Sequence, residues 1–450
     1  MINPHPGPRI CLDFGTSYSK ASIFLADGPA WRCTRPLALG AASGADTIWL
    51  TPSALSVDSG RIRLGPSALA SVRAQHSGAS EAMLSFKTIL AARDLDQALN
   101  MRLRRTLDPT GSLSHRDALV LYLAHLDRLT RAAAASDLRI PSDAAALPRR
   151  YTTPIWRQRQ EADRIVGRLF DEAASVSERL GDALIGSEGV SIAHAKDALE
   201  RAGETLGIGQ LETGVFEAHA AAAAYGACKE MPARCFLLID MGAGTTDLAG
   251  FEHDGGDRLV MSEIVEARQS CGLAGDEIDQ ILITVLAAKK RMRDRAAAEA
   301  LWQGLRLSSR DLKRELFETG GCRYERGGVK LSATRKELLA HADTRAFVGA
   351  LSEVVAASLA AVRARAQHVN AGAVTILLAG GGAHSGLLAD AARAASLRLG
   401  LKNAELEHLG VGWRLPQNSD AGMQSAMPQL AISMGGALAE LETAGERLDA

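Results

Sequence analysis

The sequence predicts an α/β protein made of two related lobes, and three observations predict it. A short pattern occurs twice. Ile10-Cys11-Leu12-Asp13-Phe14-Gly15-Thr16 and Leu238-Ile239-Asp240-Met241-Gly242-Ala243-Gly244-Thr245-Thr246 are each an apolar run that ends in aspartate and meets a glycine–threonine turn. A second apolar-leaning run follows each turn, Lys20 to Leu25 and Asp247 to Phe251, so each copy reads as strand, tight turn, strand. The chain of 450 residues is also too long for one ordinary core and suits two lobes of about 200 residues each. Finally, strand patterns alternate with helical ones along the remainder, as in an α/β fold.

The elements follow in order. Residues 9–40 begin with the first hairpin. Residues 45–110 are mixed, with turn signals at Thr51-Pro52-Ser53, Ser59-Gly60 and Gly65-Pro66. A helical pattern covers 116–135, a loop of small and polar residues 136–148, and Tyr151-Thr152-Thr153-Pro154 reads as a strand ended by proline. A long helix is expected over 157–180 and a small-residue helix over 217–227. The alanines Ala220 to Ala224 allow close backbone approach, which places that helix at the seam between lobes. The second hairpin starts at Phe236. Helical patterns cover 276–300, 308–317 and 345–368. Residues 374–379 form a buried-type strand that stops at Gly380-Gly381-Gly382, and a helix begins near Leu387. The end, 435–448, reads as an amphipathic helix running into a charged tail.

Composition narrows the function classes. Hydrophobic residues make up 47% and charged residues 23%, as in a globular protein with ordinary cores. The formal net charge of −1 supplies no long-range field for nucleic acid or an anionic membrane, so neither is expected as a partner. The basic cluster Lys289 to Arg295 reads as a solvated helix face. Six cysteines lack Cys-x-x-Cys spacing and lie largely in apolar runs, which suggests reduced thiols and a cytoplasmic location. The proline-rich start lacks a signal-peptide pattern, and no run of about 18 apolar residues is evident.

The turns carry the chemistry. Glycines let backbone N–H groups approach phosphate oxygens, and Thr16, Ser17 and Thr245 can add hydroxyl donors. Asp13 and Asp240 stand where each strand meets its turn. Converging there, they suit a hydrated Mg²⁺, which takes one or two carboxylates plus waters and phosphate oxygens. Taken singly, each aspartate can equally cap a β-turn. The strand running into Gly380-Gly381-Gly382-Ala383-His384-Ser385-Gly386 adds a third loop of nucleotide-binding type.

Several further segments, in order along residues 10–390, give a specific resemblance. They are Asp13-Phe14-Gly15-Thr16-Ser17-Tyr18-Ser19, Thr51-Pro52-Ser53 with Leu64-Gly65-Pro66-Ser67-Ala68, Leu84 to Leu90, Thr152 to Trp156, Glu217 to Gly226, Asp240 to Asp247, Leu273 to Asp279, and Leu331 to Leu338. Together they resemble the ATPase domain of the seventy-kilodalton heat-shock chaperone family, within the actin-like ATPase superfamily. The resemblance implies duplicated ribonuclease-H-like domains and four subdomains around a central nucleotide cleft. Lobe I would span 1–228 with an insertion at about 41–115, and lobe II 229–440 with an insertion at about 276–345. Residues 441–450 would be a tail, with no linker or peptide-binding domain following.

Roles carry over residue by residue. Asp13 would hold Mg²⁺, with Asp240 and Glu217 reaching it through water. Gly15, Thr16, Ser17 and Tyr18 would line the phosphates, as would Gly242, Ala243 and Gly244 from the second loop and Gly275 beside it. Lys87 would neutralise the transferred phosphoryl group. Thr245 would contact the γ-phosphate, and Asp247 would place or deprotonate the attacking water. Pro154 would act as a hinge. Lys313 and Arg314 would flank the adenosine with Gly380, Gly381, Gly382 and His384. The chain departs from the family at Ala243 (glycine there), harmless at negative φ and obstructive otherwise, and on the adenosine side at His384 (arginine), Phe317 (serine) and Arg310 (glutamate), so the resemblance supports phosphate binding more firmly than adenosine binding. The late carboxylate on the adenosine side has Asp420 and Glu440 as its nearest candidates, neither assigned.

The resulting expectation is Mg²⁺-dependent ATP binding and slow hydrolysis, with a protein partner or client reading the nucleotide state. Alternatives are a bacterial actin-like filament-forming ATPase, a metabolite kinase, for which no acceptor-activating aspartate stands out, and an ATP-binding module with little turnover.

Overall fold

The repeated pattern in the sequence is the visible part of a larger repeat in the fold. The computed structural model describes residues 7–25, 30–40, 48–74, 81–137, 140, 146–154, 159–204, 207, 210–253, 261–292, 294–401, 404–414 and 421–438. In the first half, β1 (Arg9–Asp13), β2 (Tyr18–Phe24) and β3 (Thr34–Pro36) are followed by α1 (His115–Ser136), β4 (Arg149–Thr153), α2 (Arg159–Leu180), β5 (Val215–Phe216) and α3 (Glu217–Cys228). In the second half, β6 (Cys235–Met241), β7 (Thr246–His253) and β8 (Met261–Cys271) are followed by α4 (Ala342–His368), β9 (Thr375–Ala379), α5 (Leu387–Arg398), β10 (Glu405–His408) and α6 (Ala421–Ala437). The sheet orders are β5-β4-β1-β2-β3 and β10-β9-β6-β7-β8. The senses also correspond, with the three leading strands antiparallel and the two later ones parallel to the hairpin's first strand. Each half therefore repeats β-β-β, an insertion, then α-β-α-β-α.

The central strands read as continuous apolar runs because both faces are covered. All five residues of β1, all seven of β6 and all five of β9 are buried, as expected of strands with helices on either side. The insertions differ between halves. The first contains an antiparallel sheet of Ala82–Leu84, Ala54–Asp58, Arg61–Leu64 and Val190–Ser191, with helix Gly65–Ala74 and the 3₁₀ turn Phe86–Ala91. Its last strand thus comes from well beyond residue 115. Ser59 and Gly60 are both left-handed, φ 51° and 72°, which suits the two-residue hairpin turn they form. The second insertion holds helices Gly275–Ala287 and Arg295–Thr319, the hairpin Gly321–Arg326 and Val329–Thr334, and helix Arg335–Ala340.

The helices that close each half pack on one another. A β-carbon at Gly435 of α6 would overlap the Ala220 carbonyl of α3, so glycine and alanine let the two backbones touch. The α3 alanines also pack with Phe236, Leu238, Ala249 and Phe251 of the second sheet. Ser433 of α6 meets Ser22 of β2 at 2.7 Å, so α6 returns from the second half to the first sheet.

Two expectations need correction, and a third falls mostly outside the described residues. The helix expected over 276–300 breaks between Ala287 and Arg295, so Lys289 to Met292 occupy a connection and not a helix face. Lys289 there donates to Ser332 O at 2.7 Å and to Glu337 at 2.6 Å. Gly65-Pro66 starts a helix where a turn was expected, since proline suits a first helical turn. The helix Ala421–Ala437 was not expected from the sequence, and most of the helix expected over 435–448 falls on residues 439–450, which lie outside the described residues. The Ala421–Ala437 helix was hidden because it contains Pro428 and is buried almost throughout from Ala426 onward, so it shows no amphipathic stripe. By length and composition α4 is long and apolar enough to cross a membrane. Its Phe347, Leu351, Val355, Leu359 and Val362 are buried in the core of the second half, as in the central helix of a globular unit.

Candidate functional site

One cavity of about 1950 Å³ opens where the two hairpin turns meet, and every site residue singled out in the sequence lines it. The first half contributes Asp13, Gly15, Thr16, Ser17, Tyr18, Lys87, Pro154 and Glu217. The second contributes Asp240, Gly242, Ala243, Gly244, Thr245, Asp247, Gly275, Lys313, Arg314, Gly380, Gly381, Gly382 and His384. The turns face each other closely: a β-carbon at Gly244 would lie 3.0 Å from Thr88 Cγ2 and 3.5 Å from Thr16 Cγ2.

Each loop is held from behind. Ser53 donates from Oγ to Gly15 O at 2.6 Å, and its N–H reaches Ser17 O at 2.8 Å. In the second loop Gly242 N–H donates to Thr245 O at 3.0 Å. Gly275 N–H donates to Gly242 O at 3.0 Å and Asp276 N–H to Ala243 O at 2.7 Å, which seats the start of helix Gly275–Ala287 on the loop. Ala243 lies outside the left-handed region, so its methyl group replaces a glycine without backbone strain.

The hairpin register sets the charges. Asp13 stands opposite Lys20, and Asp240 opposite Asp247. Lys20 Nζ lies 2.7 Å from Asp13 Oδ2, and Thr152 donates to Asp13 Oδ1 at 2.9 Å. Asp240 has no such cation opposite it, and its Oδ1 is buried without a hydrogen-bond partner. Burial, then the charges of Glu217, Asp247 and Asp13, raise its carboxyl to about 7 against the pull of Lys20. Burial also raises Asp247, although Ser270, Thr245 and Lys87 oppose it; Thr245 donates to Asp247 Oδ2 at 2.9 Å.

Lys87 is buried, forms an ion pair with Glu217 and stands 5.8 Å from the Phe14 ring centroid. Burial works to lower its ammonium, but Glu217 and Asp13 outweigh that and hold it above the usual lysine value. Glu217 is itself raised, chiefly by burial, with Lys87 opposing and Asp13 adding. Four carboxylates thus crowd one end of the cavity with two lysines among them. Hard oxygen donors, one of them an unpartnered buried Oδ1, fit a divalent cation such as Mg²⁺. Among the described residues no three His, Cys, Asp or Glu side chains are grouped so as to hold a metal ion by themselves.

The other end is glycine-built. Gly380 has φ 77°, and a β-carbon there would overlap Asp240 Oδ1 and Met241 O. Its N–H donates to Pro428 O at 2.9 Å, tying the glycine loop to α6. Gly382 is equally closed to a side chain by Met241. Lys313 donates to Gly275 O at 2.8 Å and lies 3.0 Å from Asp279. Arg314 is half exposed and sits 3.7 Å from Asp311. Phe317 lines this end too, with the Arg335 guanidinium 5.7 Å from its ring centroid. Burial, then His408, lowers His384 below the usual imidazole value.

Sequence reasoning missed Lys20, Ser85, Ser270 and Gln429, and met Arg310 only as a departure. Lys20 could have been found by pairing the hairpin strands from the turn outward. The other cavity-lining residues here, Ser270, Gln429 and Arg310, come from distant elements with no local pattern. Compared with models of known protein families and with curated proteins, the chain matches none.

Proposed function

We propose that the chain is a two-lobed actin-like ATPase of the kind its motifs resemble, binding Mg²⁺–ATP in the cavity between its halves and hydrolysing it slowly. One observation carries this reading: residues chosen from sequence alone, spread from Asp13 to His384, line a single cavity with the two aspartate-ended turns opposed. The repeated sheet topology supports two lobes of common design.

In this reading the loop N–H groups and Thr16, Ser17 and Thr245 bind phosphate oxygens. Mg²⁺ would be held by Asp13 and Asp240 and would supply charge neutralisation between phosphates. Phosphoryl transfer needs positioning and charge stabilisation more than covalent chemistry. Lys87 leaves Glu217 for the γ-phosphate oxygens. Asp247 orients a water and accepts its proton as the water oxygen bonds to the γ-phosphorus and the bond to the departing ADP oxygen breaks. Closure of the halves around the nucleotide, with Pro154 as the hinge, gives a switch that a protein partner can read.

Isothermal titration with ATP, ADP and GTP, with and without Mg²⁺, run beside a phosphate-release assay, tests the reading. Mg²⁺-dependent ATP binding with slow phosphate release is expected. Absence of nucleotide binding refutes the reading. Binding without release leaves a nucleotide-holding module, ATP-dependent pelleting indicates a filament former, and phosphate appearing on an acceptor indicates a kinase.

A further inference from the structure

We infer that Arg310 is a positioning residue that braces the lysine-bearing turn from across the cavity. Its consequence for turnover rests on the proposed nucleotide reading; its geometry does not. Ser85 directly precedes the 3₁₀ turn Phe86–Ala91 that carries Lys87, and its backbone is left-handed, φ 56° and ψ 23°. A serine keeps that conformation only where its surroundings over-determine it.

The surroundings come from the other half of the chain. Arg310 donates from Nη2 to Ser85 Oγ at 2.7 Å, and Ser85 Oγ donates onward to Asp276 Oδ2 at 2.9 Å. Arg310 Nη1 reaches Ser17 O at 3.4 Å, while Nη2 lies 4.0 Å from Asp276 Oδ1. Asp276 is the residue whose N–H holds Ala243 O. One guanidinium therefore touches the first loop and the lysine turn, and through Asp276 it meets the second loop.

The link to Lys87 is short. Ser85 O accepts from Thr88 N–H at 3.0 Å and from Thr88 Oγ1 at 2.7 Å, so a flip at Ser85 moves the turn that presents Lys87 to Glu217. The neighbouring Arg73–Asp311 pair ties the same helix to helix Gly65–Ala74, so loss of Arg310 alone leaves the halves fastened.

The test uses Arg310→Ala, Ser85→Gly and the double variant. Glycine holds a left-handed conformation without a brace. In nucleotide-free protein, hydrogen exchange over residues 84–92 should quicken about tenfold in Arg310→Ala and return toward the parental rate in the double variant. Single-turnover ATP hydrolysis should fall about tenfold in Arg310→Ala and recover most of that loss with Ser85→Gly added. Unchanged exchange over 84–92 in Arg310→Ala overturns the inference whatever the protein does with nucleotide. A turnover loss that Ser85→Gly does not recover gives Arg310 a direct role on the nucleotide and also overturns it. The expected exchange pattern in a parent that binds no nucleotide upholds the brace and refutes the nucleotide reading alone.

Discussion

Asp240→Asn removes the charge at the most crowded point of the cavity while keeping the side-chain shape. In metal-free protein the Asp240 carboxyl sits at about 7 against an ordinary value of 3.8, first through burial and then through Glu217, Asp247 and Asp13. A group raised in the folded state keeps a proton that the unfolded chain releases. Stability is therefore full below about pH 4, declines up to about pH 7 and is level above it. At about 1.4 kcal/mol per pH unit across that window, the parent loses about 4 kcal/mol by pH 8. Asparagine has no proton to lose, so the variant escapes the decline. Thermal unfolding in EDTA at pH 5 and pH 8 should show the variant gaining on the parent as pH rises, by about 3 kcal/mol between those two values. Addition of Mg²⁺–ATP should reverse the order, stabilising the parent strongly and the variant little. A variant that tracks the parent at both pH values, or that gains equally from Mg²⁺–ATP, refutes the carboxylate-crowding argument.

Other outcomes follow from the same geometry. Lys87→Ala should lower turnover by about 10³-fold with nucleotide binding largely kept, checked by phosphate release against isothermal titration. It also strands buried Glu217 without its counter-charge, so its stability deficit should be larger at pH 8 than at pH 6. Gly380→Ala should cost about 3 kcal/mol or more in denaturant unfolding, because both the left-handed backbone and the Asp240 and Met241 oxygens oppose a methyl group. Gly320→Ala, at φ 86° with open space around it, should cost only about 1 kcal/mol. Gly435→Ala should cost about 2–4 kcal/mol by pushing α6 off α3. Gly349→Ala, an exposed position of α4 with nothing within 4 Å, should instead stabilise by about 0.5–1 kcal/mol.

The parts of this molecule that were legible in sequence are those in which local backbone chemistry decides the outcome. A turn that must approach another group closely requires glycine, and a strand buried on both faces requires an unbroken apolar run. Asp13, Asp240 and Gly380 were accordingly placed from a few neighbours each. Helix α6 failed the same treatment because its environment, not its pattern, makes it a helix: with sheet and α3 around it, no polar face is needed and Pro428 is tolerated. Val190–Ser191 joined the small sheet by a pairing too short and too distant to leave a signature. Arg310 acts through Ser85 and Asp276, 225 and 34 positions away, and nothing beside it in sequence marks that role.

The repeat itself shows how one topology yields an asymmetric site. Both halves carry an aspartate at the end of their first strand, Asp13 as its last residue and Asp240 as its last but one, at corresponding places in two sheets of the same order, so the fold alone would make the two walls of the cavity equivalent. The residue across the hairpin breaks that equivalence. Lys20 lies 2.7 Å from Asp13 and settles its charge within the first half, whereas Asp247 faces Asp240 and adds to its burden. The first wall pairs its carboxylate with a lysine, whereas the second sets two carboxylates across one hairpin and so draws a cation or a proton. Replacing the cross-strand carboxylate alone, with Asp247→Asn, keeps both hairpins and the side-chain shape yet should lower the Asp240 carboxyl, which burial and Glu217 still hold above the usual carboxylate value. Carboxyl titration followed by infrared difference spectroscopy on Asp247→Asn and on its Asp240→Asn derivative reads that shift. A carboxyl that still titrates near pH 7 in Asp247→Asn and vanishes when Asp240→Asn is added would place the cause in burial and Glu217, not in the cross-strand partner.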